Sequence, residues 1–179
     1  DMSDDAFQQV YFDNWNFPWT LYDDIFLYAR DRKIPLVGLN VPREITRQVA
    51  RRGFSSLNEE QRGKLDNVTC RVDREYMEFI RRAHGAHGHG NLNFIYFCEA
   101  QMVWDSVMAV RAIDYVERHP GRVLVVLAGT GHARKQAVPA QIRDRRDLPL
   151  AVILPEVPGE LDPDNLDAAD ADFIYLSPS

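Results

Sequence analysis

The protein is a chain of 179 residues with a formal net charge of −6, of which 45% are apolar and 27% are charged. This composition is typical of a globular domain and excludes collagen-like, coiled-coil and wholly disordered chains. The acidic charge argues against a nucleic-acid binder. No stretch reaches the roughly 20 apolar residues of a membrane-spanning helix, and no signal peptide is visible at the polar start. The two cysteines, Cys70 and Cys98, are too few for a disulfide framework, so they either pair once or remain buried thiols.

The first part of the chain predicts helices separated by one strand. A helix is expected over residues 18–32, with a proline in its first turn. The short apolar run over 34–39 predicts a buried strand. A second helix is expected over 40–51, because Gly53 is a typical helix terminator. Asp73 then predicts the N-cap of a helix rich in aromatic and apolar residues.

The second part predicts one long helix and several strands. The helix covers about residues 92–118 and ends before a Pro-Gly pair. Arg122–Ala128 (RVLVVLA) is the clearest strand pattern, because it is short, unbroken and rich in valine and leucine. Further strands are expected over 150–154 and, at an edge, over 173–176. The acidic, proline-containing tail over 155–172 indicates a loop.

This order of elements predicts an α/β fold with a layered, largely parallel sheet flanked by helices. Three or four strands are few for such a fold, and the chain opens on a helix. We therefore expect a single domain over residues 1–179 that lacks its N-terminal βα units.

The long helix places polar side chains in an apolar stripe. On a wheel of about 100° per residue, Gln101 and Asp105 lie one turn apart in the middle of this stripe, and Tyr96 lies opposite. A carboxylate at such a position is costly unless it is paired, hydrogen-bonded or bound to a ligand. Two interpretations remain open, namely a structural anchor and a residue of a functional site.

A second candidate site follows the clearest strand, where Gly129, Gly131 and His132 form a Gly-Thr-Gly-His turn. Ligands of open α/β sheets bind beyond the carboxyl ends of strands, and glycines allow a close approach of the backbone. Histidine in such a turn is either a structural residue or a metal ligand, general base or haem-pocket donor. Only one helix-to-strand turn separates Asp105 from His132, which is compatible with their meeting.

A third candidate is the glycine-rich loop that carries His84, His87 and His89. Three imidazoles within six residues are suited to zinc or copper. However, the loop lacks the i, i+4 spacing of a helical metal site, so a solvated, mobile loop is the simpler interpretation.

Several segments together resemble the ChaN-like haem-binding (iron-regulated lipoprotein) family, which is similar to the Tiki/TraB/erythromycin-esterase superfamily. They are Gln101–Ala109 (QMVWDSVMA), Ala128–His132 (AGTGH), the following Ala137–Pro139 and the upstream Trp19–Pro42. The resemblance covers roughly residues 15–155.

The resemblance implies a haem-binding protein of haem or iron uptake, located in the periplasm or at the cell surface and forming a homodimer. Haem iron in this family is held by a tyrosine with a histidine assisting. Tyr96 and Tyr76 are the candidate tyrosines here, and His84 and His132 are the candidate histidines. Membrane association would require a lipid anchor that this chain does not contain.

Two features depart from the family pattern, because the GExH-type turn and a lipobox cysteine are both absent. We therefore expect this chain to be the C-terminal part of the family domain. A haem-binding protein without catalytic residues is favoured. The alternative is a metal-dependent hydrolase of the same superfamily, with His132 and Asp105 at a divalent metal. In a third interpretation Gln101, Asp105, Gly129 and Gly131 only build a structural polar pocket.

Overall fold

The computed structural model describes residues 2–15, 17–66, 68–83, 92–157, 161 and 165–176. Contacts divide the chain into two units, residues 1–38 and residues 39–179. No helix within the described ranges is both long and apolar enough to span a membrane.

The first unit consists of helix α1 (Asp4–Asn14), a 3₁₀ turn (Trp19–Leu21) and helix α2 (Asp23–Asp31). The sequence predicted one helix over 18–32, but the backbone at Tyr22 leaves the helical region and separates the 3₁₀ turn from α2. The unit is held together by aromatic rings around the buried Tyr11, whose hydroxyl donates to the carbonyl of Phe17 at 3.0 Å.

The second unit is built around one long helix. It contains α3 (Arg43–Arg52), a 3₁₀ turn (Phe54–Ser56), α4 (Glu59–Gly63), α5 (Arg74–Ala83), α6 (Leu92–Arg118), α7 (Thr130–Ala133) and α8 (Val138–Arg143). The predictions for α3 and α6 are confirmed to within a few residues. Asp73 caps α5 as predicted, because its carboxylate accepts from the backbone N–H of Tyr76 at 2.8 Å.

Helix α6 carries the core of this unit. Helices α3 and α8 pack along it, and α5 packs against its first half. One cluster joins Ile45 and Val49 of α3 to Val103 and Val107 of α6. A second cluster joins α5 to α6 and contains Tyr76, Phe79, Ile80, Phe94, Cys98, Met102 and Ala137. Both cysteines are free thiols.

The sheet is much smaller than the sequence predicted. Strands β1 (Ile153–Pro155) and β2 (Phe173–Tyr175) pair in parallel, with Leu154 opposite Ile174. Helices dominate this α/β chain, and the layered sheet is not found among the described residues. Residues 122–128 and 34–39 are free of helix but join no strand ladder there. Val123 is 89% exposed and Val125 is 76% exposed, so no second layer built from the described residues covers these side chains.

Candidate functional site

The centre of the candidate site is the carboxylate of Asp105, near the middle of α6. Its side chain is 1% exposed, and the flanking Val103 and Val107 are fully buried. The predicted burial of Asp105 and Gln101 is therefore confirmed. A charged group at this depth is stable only with hydrogen-bond donors at both oxygens. The described residues supply one donor to each.

The first donor comes from α5. Tyr76 lies on the buried face of that helix with Phe79 and Ile80. Its hydroxyl donates to Oδ2 of Asp105 at 2.5 Å. Burial, followed by the nearby negative charge of Asp105, raises the pKa of Tyr76 far above its ordinary value. The side chain therefore remains a protonated phenol that donates a hydrogen bond.

The second donor comes from α7, the short helix formed by the Gly-Thr-Gly-His turn. Gly129 stands at its N-terminal boundary, and its carbonyl accepts from the backbone N–H of His132 at 2.9 Å. Nδ1 of His132 lies 2.6 Å from Oδ1 of Asp105. Because a carboxylate only accepts, this contact assigns a proton to Nδ1. In the neutral form of the ring, Nε2 then carries the lone pair.

The histidine of this pair reaches the surface, whereas the carboxylate does not. The side chain of His132 is 20% exposed. The ring of Trp104 meets it edge to face, with centroids 5.5 Å apart. Nε2 of His132 makes no hydrogen bond to any described residue. A neutral imidazole held in this way offers one lone pair to a metal, an iron centre or a proton.

Gln101 lies one helical turn before Asp105. It is buried, and its Oε1 has no hydrogen-bond partner within the described part of the chain. A second polar network also starts on α6, in which Ser106 donates to Oε1 of Gln141 at 2.9 Å and Arg145 donates to the same oxygen at 2.8 Å. None of these hydrogen bonds involves the Oε1 of Gln101.

The other predicted haem-site residues do not join this cluster. Tyr96 packs against Gly53, on the α3 side of α6, as its opposite position on the helical wheel predicted. Gly131 is half-buried within α7 and positions His132 only through the backbone. His84, together with His87 and His89, lies outside the described residues.

A metal site of the hydrolase type is not found where the structure describes the chain. No group of three or more His, Cys, Asp or Glu side chains there is placed to hold a metal ion. Asp105 and His132 do meet, but both carboxylate oxygens accept hydrogen bonds from the protein. The pair therefore resembles a carboxylate that orients a histidine more than two ligands of one divalent cation.

Sequence reasoning missed two partners in this site. The resemblance indicates Tyr76 only as an iron ligand, whereas its place beside Phe79 and Ile80 on one face of α5 is typical of a buried residue. Nothing in the local sequence marks Trp104 as a site residue, although it precedes Asp105 directly. Its contact with His132 joins residues 28 positions apart, and no local pattern reports such a contact.

Comparison with known proteins identifies the family. Residues 1–142 match a family described as haem-binding uptake, Tiki superfamily, ChaN. The match contains Tyr76, Asp105 and His132. The searches of curated proteins and of solved structures found no match. The chain therefore belongs to the ChaN family of haem-binding uptake proteins in the Tiki superfamily.

Proposed function

We propose that this chain binds haem and that Nε2 of His132 is the protein ligand to the iron. The observation that carries the proposal is the 2.6 Å contact between Nδ1 of His132 and the buried carboxylate of Asp105. A histidine that ligates a metal commonly donates its other N–H to a carboxylate or carbonyl, which fixes the ring and strengthens the ligand. This arrangement, the partial exposure of His132 and the family match support the proposal.

Tyr76 has a positioning role in this proposal. Its hydroxyl is hydrogen-bonded to Asp105 and its side chain is only 6% exposed, so a porphyrin has little access to the oxygen. The phenol instead holds the carboxylate that holds the imidazole. Tyr96 remains the other tyrosine predicted as a ligand, and the experiment below includes it.

Bound haem would supply an iron centre that the imidazole of His132 could ligate. The residues of the chain fit this group, because they present an imidazole whose Nδ1 is held by Asp105 and an aromatic ring beside it. Within the site, Tyr76 keeps its proton and donates a hydrogen bond to Asp105. Asp105 in turn holds the Nδ1 side of the His132 ring, so Nε2 is the nitrogen that would meet the iron.

We also propose, from the family and not from the contacts above, that the protein acts in haem or iron uptake as a homodimer at the cell surface or in the periplasm. Cell fractionation and sedimentation of the protein with and without hemin test these two statements separately.

The test of haem binding is a hemin titration followed by visible absorption. We expect a saturable spectrum in the wild type and in His119→Ala, a matched control at the end of α6 whose ring stacks on Tyr115. We expect His132→Ala to lose the axial-ligand spectrum and Tyr76→Phe to keep it with a shifted band. A charge-transfer band that disappears only in Tyr96→Phe would contradict the assignment to His132.

A further inference from the structure

A groove between α5 and α6 lies apart from the Asp105 site. It has a volume of about 280 Å³ and is lined by Arg74, Met77, Glu78, Arg81, Phe94 and Ile95. The four lining residues of α5 lie roughly 100–200° around the helical wheel from Tyr76, so they occupy a different side of α5 from the residue that contacts Asp105. Phe94 precedes Asp105 by eleven residues of α6, which places the two about 16 Å apart along the helix axis. The groove is therefore separate from His132 and Asp105.

Arg81 carries an unusual buried donor in this groove. Its Nε is buried and has no hydrogen-bond partner among the described residues. The guanidinium group lies over the ring of Phe94, with Cζ 5.0 Å from the ring centroid. A cation–π contact orients the group but does not satisfy its N–H donors. Buried donors without a partner are rare in folded proteins and require an explanation.

The charges in the groove favour an anion. Nε of Arg74 and Oε1 of Glu78 are 3.3 Å apart, so these two charges largely cancel at the rim. Arg81 forms no ion pair with a described residue. Burial raises the pKa of Cys98, and the positive charge of Arg81 partly opposes this rise. Among the described residues, the guanidinium of Arg81 therefore has no compensating carboxylate. The two terminal nitrogens of a guanidinium match the two oxygens of a carboxylate, and they do not depend on the buried Nε.

The remaining surface of the groove favours an apolar body. Met77 and Ile95 are half-buried and Phe94 is buried, and they supply a hydrophobic wall beside the guanidinium. The volume lies just below the range of roughly 300–1,000 Å³ typical of pockets for drug-sized ligands. The ligand that fits both features is small, apolar at one end and anionic at the other.

We propose that this groove binds a small apolar monocarboxylate, with the carboxylate on Arg81 and the tail or ring on Met77, Phe94 and Ile95. The site goes beyond haem binding, because it is distant from His132 and uses no iron ligand. A porphyrin propionate carries the same chemical group, so the experiment separates a free carboxylate from a porphyrin.

The test is calorimetric titration of the full chain with octanoate. We expect saturable binding at a single site, and much weaker binding of octanol, which lacks the charge. Arg81→Gln should weaken octanoate binding by about tenfold or more, the size expected for a charge-assisted hydrogen bond. Arg82→Gln is the matched control. Arg82 follows Arg81 on α5, its side chain is exposed, and it does not line the groove.

A second variant keeps the test independent of Arg81. Ile95→Trp fills the groove and should abolish octanoate binding, while thermal unfolding reports whether both variants are folded. Hemin titration of Arg81→Gln should match the wild type. Equal octanoate affinity in Arg81→Gln and in the wild type would overturn the proposal. Loss of hemin binding in Arg81→Gln would also overturn it, because the groove would then belong to the porphyrin. Failure of hemin to bind wild type would affect only the haem proposal.

Discussion

At the scale of single residues, the central feature is a buried carboxylate with a hydrogen-bond donor at each of its two oxygens. Asp105 accepts from Tyr76 and from His132, and each bond joins α6 to a different part of the chain. Such groups stabilise a fold only as long as every partner is present, because a single missing donor leaves charge buried without compensation. The same interactions that position His132, the proposed iron ligand, therefore also contribute to the stability of the second unit.

The substitution Asp105→Asn should separate these two roles. The asparagine side chain would keep the shape, but its amide group would face one of the two donors, so we expect a loss of about 1–3 kcal/mol in the free energy of unfolding. Urea denaturation measures this loss. Asp114→Asn is the control on the same helix, where the exposed pair with Arg118 should contribute less than about 1 kcal/mol. Equal stability of both variants would show that the Asp105 contacts contribute little.

The stability of the protein should fall at alkaline pH. Burial raises the pKa of Cys98 from 9.0 to about 11 and that of Cys70 from 9.0 to about 12. Unfolded thiols lose their protons near their ordinary pKa while the folded ones keep them, so the unfolded state binds fewer protons above that pH. The two thiols therefore make their full contribution to the free energy of unfolding below about pH 9. This contribution is lost as the pH rises towards 11 for Cys98 and towards 12 for Cys70.

The measurement is urea denaturation between pH 7 and pH 11, for the wild type and for a variant with both Cys70→Ala and Cys98→Ala. We expect the alkaline slope of the free energy of unfolding to be shallower in the variant. Part of the slope above about pH 10 should remain, because Tyr76 also resists ionisation in the fold. Identical slopes would mean that the thiols ionise equally in both states.

At the scale of elements, α6 and its neighbours are joined by close backbone contacts. Gly53 ends α3 with φ +81°, a conformation that side chains rarely adopt. A Cβ at this position would lie 2.7 Å from Cε1 of Tyr96, and Glu99 accepts from the next backbone N–H, that of Phe54, at 2.7 Å. The end of α3 is therefore fixed against α6 by geometry that glycine alone allows.

Gly53→Ala should destabilise the second unit by about 1–3 kcal/mol, because backbone strain and the contact with Tyr96 act together. Gly63→Ala is the control. A Cβ at that position meets no atom within 4 Å, and alanine is the better helix former. We expect its effect to be neutral or stabilising in thermal unfolding. A Gly53→Ala variant as stable as Gly63→Ala would contradict this account.

The sequence predicted these elements to different extents. The apolar stripe of α6 was long and periodic, so its bounds and the burial of Asp105 were predictable. The bonds from Tyr76 and His132 to that carboxylate span 29 and 27 residues and depend on packing that no local pattern encodes. The run over 122–128 has the composition of a buried strand, but a strand also needs neighbours. The described residues supply none to it.

At the scale of the whole molecule, the run of exposed apolar residues over 123–127 bears on association. Val123, Val125 and Leu127 are all exposed, and they alternate in the sequence with the half-buried Leu124 and Val126. Exposed apolar side chains of this kind favour association with other molecules. These residues have the composition of a buried strand, but the sheet of this chain is smaller than the sequence pattern predicts and does not include them.

Val125→Lys should therefore change association more than stability. Because Val125 is 76% exposed, we expect the free energy of unfolding to change by less than about 0.5 kcal/mol. Light scattering at increasing protein concentration should show less self-association than in the wild type. Val103→Ala is the comparison, because its fully buried side chain should cost about 1–3 kcal/mol when shortened. A large loss of stability in Val125→Lys would show that this segment is covered.

The edge-to-face contact between Trp104 and His132 makes the candidate site optically accessible. The chain has three tryptophans, and Trp15 and Trp19 both belong to the first unit. Replacing these two with phenylalanine would leave an indole 5.5 Å from the proposed iron ligand as the only tryptophan emitter. Haem absorbs where indole emits, so ligand arrival at His132 would extinguish that emission, and the protein would report its own occupancy without an added label.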